Sequence, residues 1–219
     1  MNKEDLTGIV LAGGRSRRFG SPKALMTWRG KRFIFYSIQA IKPLVSQIIV
    51  VSHLPQLLQL KDVTVIEDAV PYKGNGPLAG IFTAMTTIRT PWYFVLPCDV
   101  PLITEKCVST LIQFADGEEN PEVIVPCVDG RAQPLIGLYH CNVKEKIECQ
   151  LVKNQKSMRA LLAGCKVQYM SVRSLSVEKE SFLNINTKKD YKQLLLPEER
   201  ERIESKKQVG TGEDEKSEH

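Results

Sequence analysis

The sequence reads as an α/β protein built on a doubly wound, mostly parallel sheet, and three observations carry that reading. Gln47 to Ser52 (QIIVVS) and Val63 to Glu67 (VTVIE) are continuous β-branched runs of the kind buried on both faces of a parallel sheet. Segments with helical spacing alternate with such runs, and parallel neighbours require crossovers of this sort. The first buried run, Ile9-Val10-Leu11, ends in Gly13-Gly14 and turns abruptly basic through Arg15, Arg17, Arg18 and Lys23, a strand end suited to a ligand.

The remaining elements follow in order. Thr27 to Lys31 (TWRGK) is a turn, and Phe33 to Leu44 carries apolar residues near helical period until Pro43 marks its end. A short helix is expected over Leu54 to Leu60, a loop over Ala69 to Pro77 and a helix over Leu78 to Ile88. Trp92 to Leu96 is a buried strand closed by Pro97-Cys98-Asp99-Val100-Pro101, and Thr104 caps a helix running to about Phe114 with Glu105 in its first turn. Val123 to Val125 and Pro134 to Tyr139 read as strands, Asn142 to Lys153 and Ser157 to Leu162 as helices, Val167 to Val172 as a late strand and Thr187 to Leu195 as a last helix. Residues 1–196 form one domain on this reading. From Pro197 to His219 the chain is almost wholly charged and polar and buries too little to offset ordering entropy, so a disordered tail is expected.

Composition narrows the function classes. With 42% hydrophobic residues in 219, a substantial core is within reach of one α/β domain. The net charge of +5 comes from 30 basic and 25 acidic residues that are mostly interspersed, which does not demand nucleic acid. The six cysteines show neither CxxC pairing nor zinc spacing, which supports reduced thiols in a cytoplasmic protein. No apolar run approaches the roughly 20 residues needed to span a bilayer, and the first residues lack a leader's apolar region.

Chemistry is expected where strands end. Gly13-Gly14 lets the backbone take positive φ or come close to a ligand, and the amides and cations that follow complement phosphate oxygens. The same residues also suit a tight turn with a solvated basic surface. Neither GxxxxGK[ST] nor GxGxxG is present. Asp68 leaves the third strand and Asp99 the fourth, so two carboxylates and a phosphate-friendly loop converge if the sheet is doubly wound. Carboxylate and phosphate oxygens together are ordinary Mg²⁺ ligands. Each aspartate could instead cap a turn or loop, a reading that is stronger for Asp68 than for Asp99. Cys98 is read as packing, because a neighbouring carboxylate disfavours its thiolate.

The string Leu11-Ala12-Gly13-Gly14-Arg15-Ser16-Arg17-Arg18-Phe19-Gly20-Ser21-Pro22-Lys23 resembles the opening pattern LAGGxSxRMGxxK of the MobA-like nucleotidyltransferases, which install a nucleotide on molybdopterin. Gly76 to Gly80 (GPLAG), Pro97 to Pro101 (PCDVP), Arg131 to Tyr139 (RAQPLIGLY) and Phe182 to Thr187 (FLNINT) also resemble family segments in the family's order. The resemblance implies a Rossmann-like fold of the nucleotidyltransferase type. It implies that Leu11, Ala12, Gly13, Gly14, Lys23, Asp68 and Asp99 bind GTP, that Arg18, Lys23 and Asp99 serve catalysis, and that Asp99 binds Mg²⁺. Asn184, Asn186 and Arg131 then face molybdopterin.

Ser52-His53 stands where family members can have a nucleotide-contacting asparagine, so His53 is either a contact or a surface histidine. Pro22 before Lys23 is commoner in the cytidylyltransferase branch, whereas LAGG and PCD resemble the guanine branch. The implied activity is transfer of GMP from GTP to molybdenum-loaded molybdopterin. The alternatives are the same chemistry with CTP, or a non-catalytic carrier of nucleotide or cofactor. A helper GTP-binding protein and a molybdenum-insertion enzyme are implied partners, with no nucleic acid and no membrane.

Overall fold

The computed structural model describes residues 1–14, 21–116, 120–173 and 177–195. The expected tail from Pro197 and the loop residues Arg15, Ser16, Arg17 and Arg18 lie outside them. Ten strands appear among the described residues: β1 (Leu6–Leu11), β2 (Thr27–Trp28), β3 (Lys31–Arg32), β4 (Gln47–Val51), β5 (Thr64–Ile66), β6 (Trp92–Pro97), β7 (Val123–Val128), β8 (Arg131–Ala132), β9 (Gly137–His140) and β10 (Val167–Ser171). The helices are α1 (Phe33–Ile41), α2 (Pro77–Thr87), α3 (Glu105–Gln113), α4 (Val143–Val152), α5 (Met158–Ala163) and α6 (Lys188–Leu194).

The main sheet runs β10-β7-β9-β6-β1-β4-β5, with β8 paired to β7, and the short hairpin β2-β3 stands apart. From β5 through β4 and β1 to β6 every pairing is parallel. Strand β9 is reversed between β6 and β7, and β10 returns parallel to β7. The sheet grows in both directions from β1, which makes it doubly wound and puts the switch in strand order beside β1.

Alternation along the central strands sorts the core into two layers. Val10, Ile48, Val50, Phe94 and Leu96 pack with Ile34, Ile38 and Ile41 of α1 and Val108 and Leu111 of α3. Ile9, Ile49, Val51, Tyr93 and Val95 pack with Leu78, Ile81 and Met85 of α2, Ile147 and Leu151 of α4, and Leu161 of α5. Strands covered by helices on both faces explain why β4 and β6 read as continuous apolar runs. The Thr104 cap forms as expected, its side chain accepting from the Cys107 amide.

Two expectations need correction. Leu54 to Leu60 is not a helix: it holds one 3-10 turn at Pro55–Leu57, and only Leu57 in that turn is fully buried. Its amides bond three residues back, Leu57 to Leu54, Leu58 to Pro55 and Leu60 to Leu57, so the chain turns tightly there without α-helical bonds. Pro134 to Tyr139 is a strand only from Gly137, because Pro134 lacks an N–H and the preceding residues turn, with the Ile136 amide donating to the Gln133 carbonyl. The Tyr139 hydroxyl donates to the Pro134 carbonyl and fixes this turn from below. Burial pushes the Tyr139 phenol well above its ordinary value, so it remains a donor.

Gly137 is where the reversed strand meets its neighbour. Its φ is +155°, and a Cβ there would lie 2.2 Å from the Ile124 carbonyl oxygen, backbone that cannot yield as a side chain can. Gly137→Ala should therefore destabilise the fold by about 3 kcal/mol or more. Chemical denaturation measures this, and a wild-type midpoint would show that β9 pairs differently.

Candidate active site

Four strand ends deliver the residues of one cavity. It has a volume of about 1100 Å³, and its wall takes in Leu11 to Gly14 after β1, Ser52 and His53 after β4, Glu67 and Asp68 after β5, and Cys98 and Asp99 after β6. The strand ladder continues past the strands themselves. The Ala12 amide donates to the Val51 carbonyl at 2.9 Å and the Cys98 amide to the Leu11 carbonyl at 3.1 Å. Ser52 ties the second loop to the first: its hydroxyl donates to the Ala12 carbonyl at 3.2 Å and accepts from the Leu54 amide at 3.1 Å.

The paired glycines do not serve a left-handed turn, since neither is among the positive-φ residues. The other reading, close approach, fits. Among the described residues, a Cβ at Gly14 would meet nothing within 4 Å, and one at Gly13 would come no closer than 3.9 Å to the His53 ring.

Lys23 begins a 3-10 turn, Lys23–Leu25, and reaches across to Asp99. Its Nζ donates to Asp99 Oδ2 at 2.6 Å and to Asn186 Oδ1 at 2.6 Å. The backbone closes the same ring, with the Ile185 amide donating to the Asp99 carbonyl at 2.8 Å. The side chains of Lys23 and Asp99 are 17% and 15% exposed, so the pair is largely withdrawn from water at a desolvation cost that stability alone does not justify. Asp99 Oδ1 is buried and has no hydrogen-bond partner among the described residues. An orphaned buried carboxylate oxygen calls for an explanation, and a cation is one that its chemistry would fit.

Asp68 stands opposite in chemistry. Burial pushes its carboxyl above the ordinary value, against the Gly74 amide, which donates to Oδ2 at 3.4 Å. The neighbouring amide of Ala69 donates to Thr83 Oγ1 at 2.9 Å, which anchors the loop on α2. Gly74 and Gly76 in this loop do have positive φ, of 80° and 73°, and Gly76 leads into α2 through Pro77.

Of the expected site residues, Leu11, Ala12, Gly13, Gly14, Lys23, Asp68, Asp99, Asn184 and Asn186 all line this cavity. His53 lines it as well. Arg131 does not: it is exposed in β8, and Leu135 of the following turn lines the cavity instead. Arg18 lies outside the described residues. Glu67, Lys73, Asn75 and Lys156 line the wall without having been expected, and Lys73 pairs with Glu67 at 2.7 Å. Glu67 had the forewarning of its place at a strand end and Asn75 that of the glycines on either side of it.

No group of three or more His, Cys, Asp and Glu residues among the described residues could hold a metal ion. Mg²⁺ needs no such cage, since it takes one or two carboxylates together with phosphate oxygens and water. The unpartnered Asp99 Oδ1 beside an open glycine loop meets that requirement. No helix among the described residues is long and apolar enough to cross a membrane.

A doubly wound sheet with a glycine loop, a lysine and an aspartate at its switch point is the architecture of a nucleotide-handling enzyme. Residues 8–172 match the model of the MobA-like NTP transferase domain, and the chain belongs to that family. It is 45% identical over 195 residues to the probable molybdenum cofactor guanylyltransferase of Bacillus cytotoxicus, covering 88% of this chain and 97% of the relative. The relative of the same name from Bacillus mycoides is 42% identical over 189 residues, covering 85% of this chain and 94% of its own. Among solved structures, the fold is similar to molybdopterin-guanine dinucleotide biosynthesis protein A from Archaeoglobus fulgidus, with a TM-score of 0.73 and 25% identity, covering 91% of this chain and 99% of that one.

Cys98 sits in the cavity wall but is chemically quiet. Burial first, and then the charge of Asp99, push its thiol up to about 12. Cys141 and Cys149 are exposed. Iodoacetamide near about pH 8 should therefore modify Cys141 and Cys149 while leaving Cys98 intact in the folded protein. Peptide mapping reads the order, and early labelling of Cys98 would contradict a closed wall at this point.

Proposed function

We infer that the chain is a molybdenum cofactor guanylyltransferase, which transfers GMP from GTP to molybdenum-loaded molybdopterin and releases pyrophosphate. The observation that carries the reading is the ring of Lys23, Asp99 and Asn186 at the end of the glycine loop, in a chain whose relatives bear that name. A terminal phosphate oxygen of the acceptor attacks the α-phosphorus of GTP. The bond from that phosphorus to the bridging oxygen breaks, and pyrophosphate leaves with the electron pair. The attacking oxygen is already anionic, so no general base is required.

What remains for the protein is positioning and neutralisation of charge. The glycine loop leaves room for phosphates to approach the backbone, and Leu11 and Ala12 form the floor beside it. Lys23 brings its ammonium to that place, and Arg18 is assigned the same task by the family pattern. Asp99 would hold Mg²⁺ through Oδ1, and the ion when bound would neutralise charge on the triphosphate oxygens. Asp68 and His53 sit on the nucleotide side of the cavity in this reading. Asn184 and Asn186 take the molybdopterin half.

Six free cysteines agree with a reducing compartment, and we place the enzyme in the cytoplasm. A molybdenum-insertion enzyme and a helper GTP-binding protein are its partners on this reading.

Purified protein given Mg²⁺ and molybdenum-loaded molybdopterin should release pyrophosphate with GTP and not with CTP. A preference for CTP would reassign the base, and nucleotide binding without release would favour a carrier. Asp99→Ala should lower turnover on the order of 10³-fold or more, since it removes both the metal oxygen and the partner of Lys23. Near-normal rates at saturating Mg²⁺ would remove the metal role from Asp99.

A further inference from the structure

We infer that Asp190 is a positioning residue for this reaction, acting through the backbone of Asn186 to hold the Lys23 ammonium in place. The inference rests on the guanylyltransferase reading and adds to it a residue that lies outside the cavity wall.

Asp190 occupies the third position of α6 and completes a capping box with Thr187. Its amide donates to Thr187 Oγ1 at 3.1 Å, and its Oδ2 accepts from the Thr187 amide at 2.8 Å. A capping box needs no more than these two bonds. Asp190 Oδ2 also accepts from the Asn186 amide at 2.9 Å, one residue beyond the cap. The amides of three consecutive residues are thereby committed: Ile185 to the Asp99 carbonyl, and Asn186 and Thr187 to Asp190. Asn186 is held on both sides, and its side-chain oxygen meets Lys23 Nζ at 2.6 Å.

The helix is seven residues long with none of them buried and so gains from its cap, but the bond from Asn186 is not part of that cap: Asn186 precedes Thr187, and its amide is not one of the helix's own unsatisfied donors. Burial works to raise the Asp190 carboxyl, but the bonds from Asn186 and Thr187, with the nearby charge of Lys23, hold it below the ordinary value, so it accepts as a carboxylate.

The two halves of the capping box can be separated. Thr187→Val removes the hydroxyl acceptor and leaves the bond to Asn186, whereas Asp190→Ala removes that bond. Both should lower the thermal midpoint. Asp190→Ala should lower kcat for pyrophosphate release on the order of tenfold, with the KM for GTP little changed. Thr187→Val should keep the wild-type kcat. Asp190→Asn, which retains an acceptor oxygen, should restore kcat to within about twofold. In an Asn186→Ala background, Asp190→Ala should cost nothing further, as expected of residues acting in series.

Competitive acetylation of the lysines, read by mass spectrometry without any substrate, should show Lys23 more reactive in Asp190→Ala and unchanged in Thr187→Val. Equal loss of kcat in both capping variants, full kcat in Asp190→Ala, failure of Asp190→Asn to rescue, or unaltered Lys23 labelling would overturn the inference. A wild-type protein inactive with GTP would defeat the guanylyltransferase reading instead, and the labelling result would still decide the role of Asp190.

Discussion

The in-register parallel pairing of β1 between β4 and β6 is the constraint on which the rest depends. Leu11 lies level with Val51 on one side and Pro97 on the other, so three chains leave the sheet at one rim. Because β1 is covered on both faces, a slip of one residue would exchange Ile9 and Val10 between two packed layers, which the cores described above do not permit. The placing of Gly13, Ser52 and Asp99 around one cavity is therefore a by-product of hydrophobic packing. The placing of the rim is inherited from apolar packing inside the sheet.

A second set of contacts brings in the far end of the chain. Trp28, Phe33, Ile185 and Leu195 form a small separate core, joined by Tyr191 and Leu194. Tyr191 donates to the Thr27 carbonyl at 2.6 Å and Trp28 Nε1 to the Leu194 carbonyl at 3.2 Å. This core fastens α6 to the hairpin that follows Lys23. The lysine and the asparagine that it meets are thus supported by one apolar cluster, outside the sheet.

Much of this was legible in the amino acids, for reasons that differ by element. Strands β4 and β6 announce themselves because burial on both faces removes polar alternation. The strand ends were legible because a glycine pair and aspartates stand directly after such runs. The role of Gly13 and Gly14 was half legible: their lack of side chains leaves open space, but the backbone there is not left-handed. Leu54 to Leu60 misled because apolar spacing over seven residues does not distinguish a helix from a turn with its leucines tucked in. Strand β9 misled in its start, where PLIG is apolar but Pro134 cannot join a ladder. Lys73, Lys156 and Leu135 carried no local signal, because only loop geometry turns them to the cavity. Nor does any pattern join Lys23 to Asp99, 76 positions away.

The contact between Lys23 and Asn186 spans 163 positions of sequence. Closing a loop of that size costs entropy that must be met before its contacts repay it, so such pairings come late in folding. The parallel ladder from β5 to β6 is made wholly of residues up to Pro97, although its core also takes in α4 and α5, whereas the ring at the rim must wait for Asn186 to be synthesised and docked. A nascent chain would hold the open glycine loop and Asp99 well before it held Asn186. The ring of Lys23, Asp99 and Asn186 is thus completed only by the last segment of the domain, and an incomplete polypeptide lacks it.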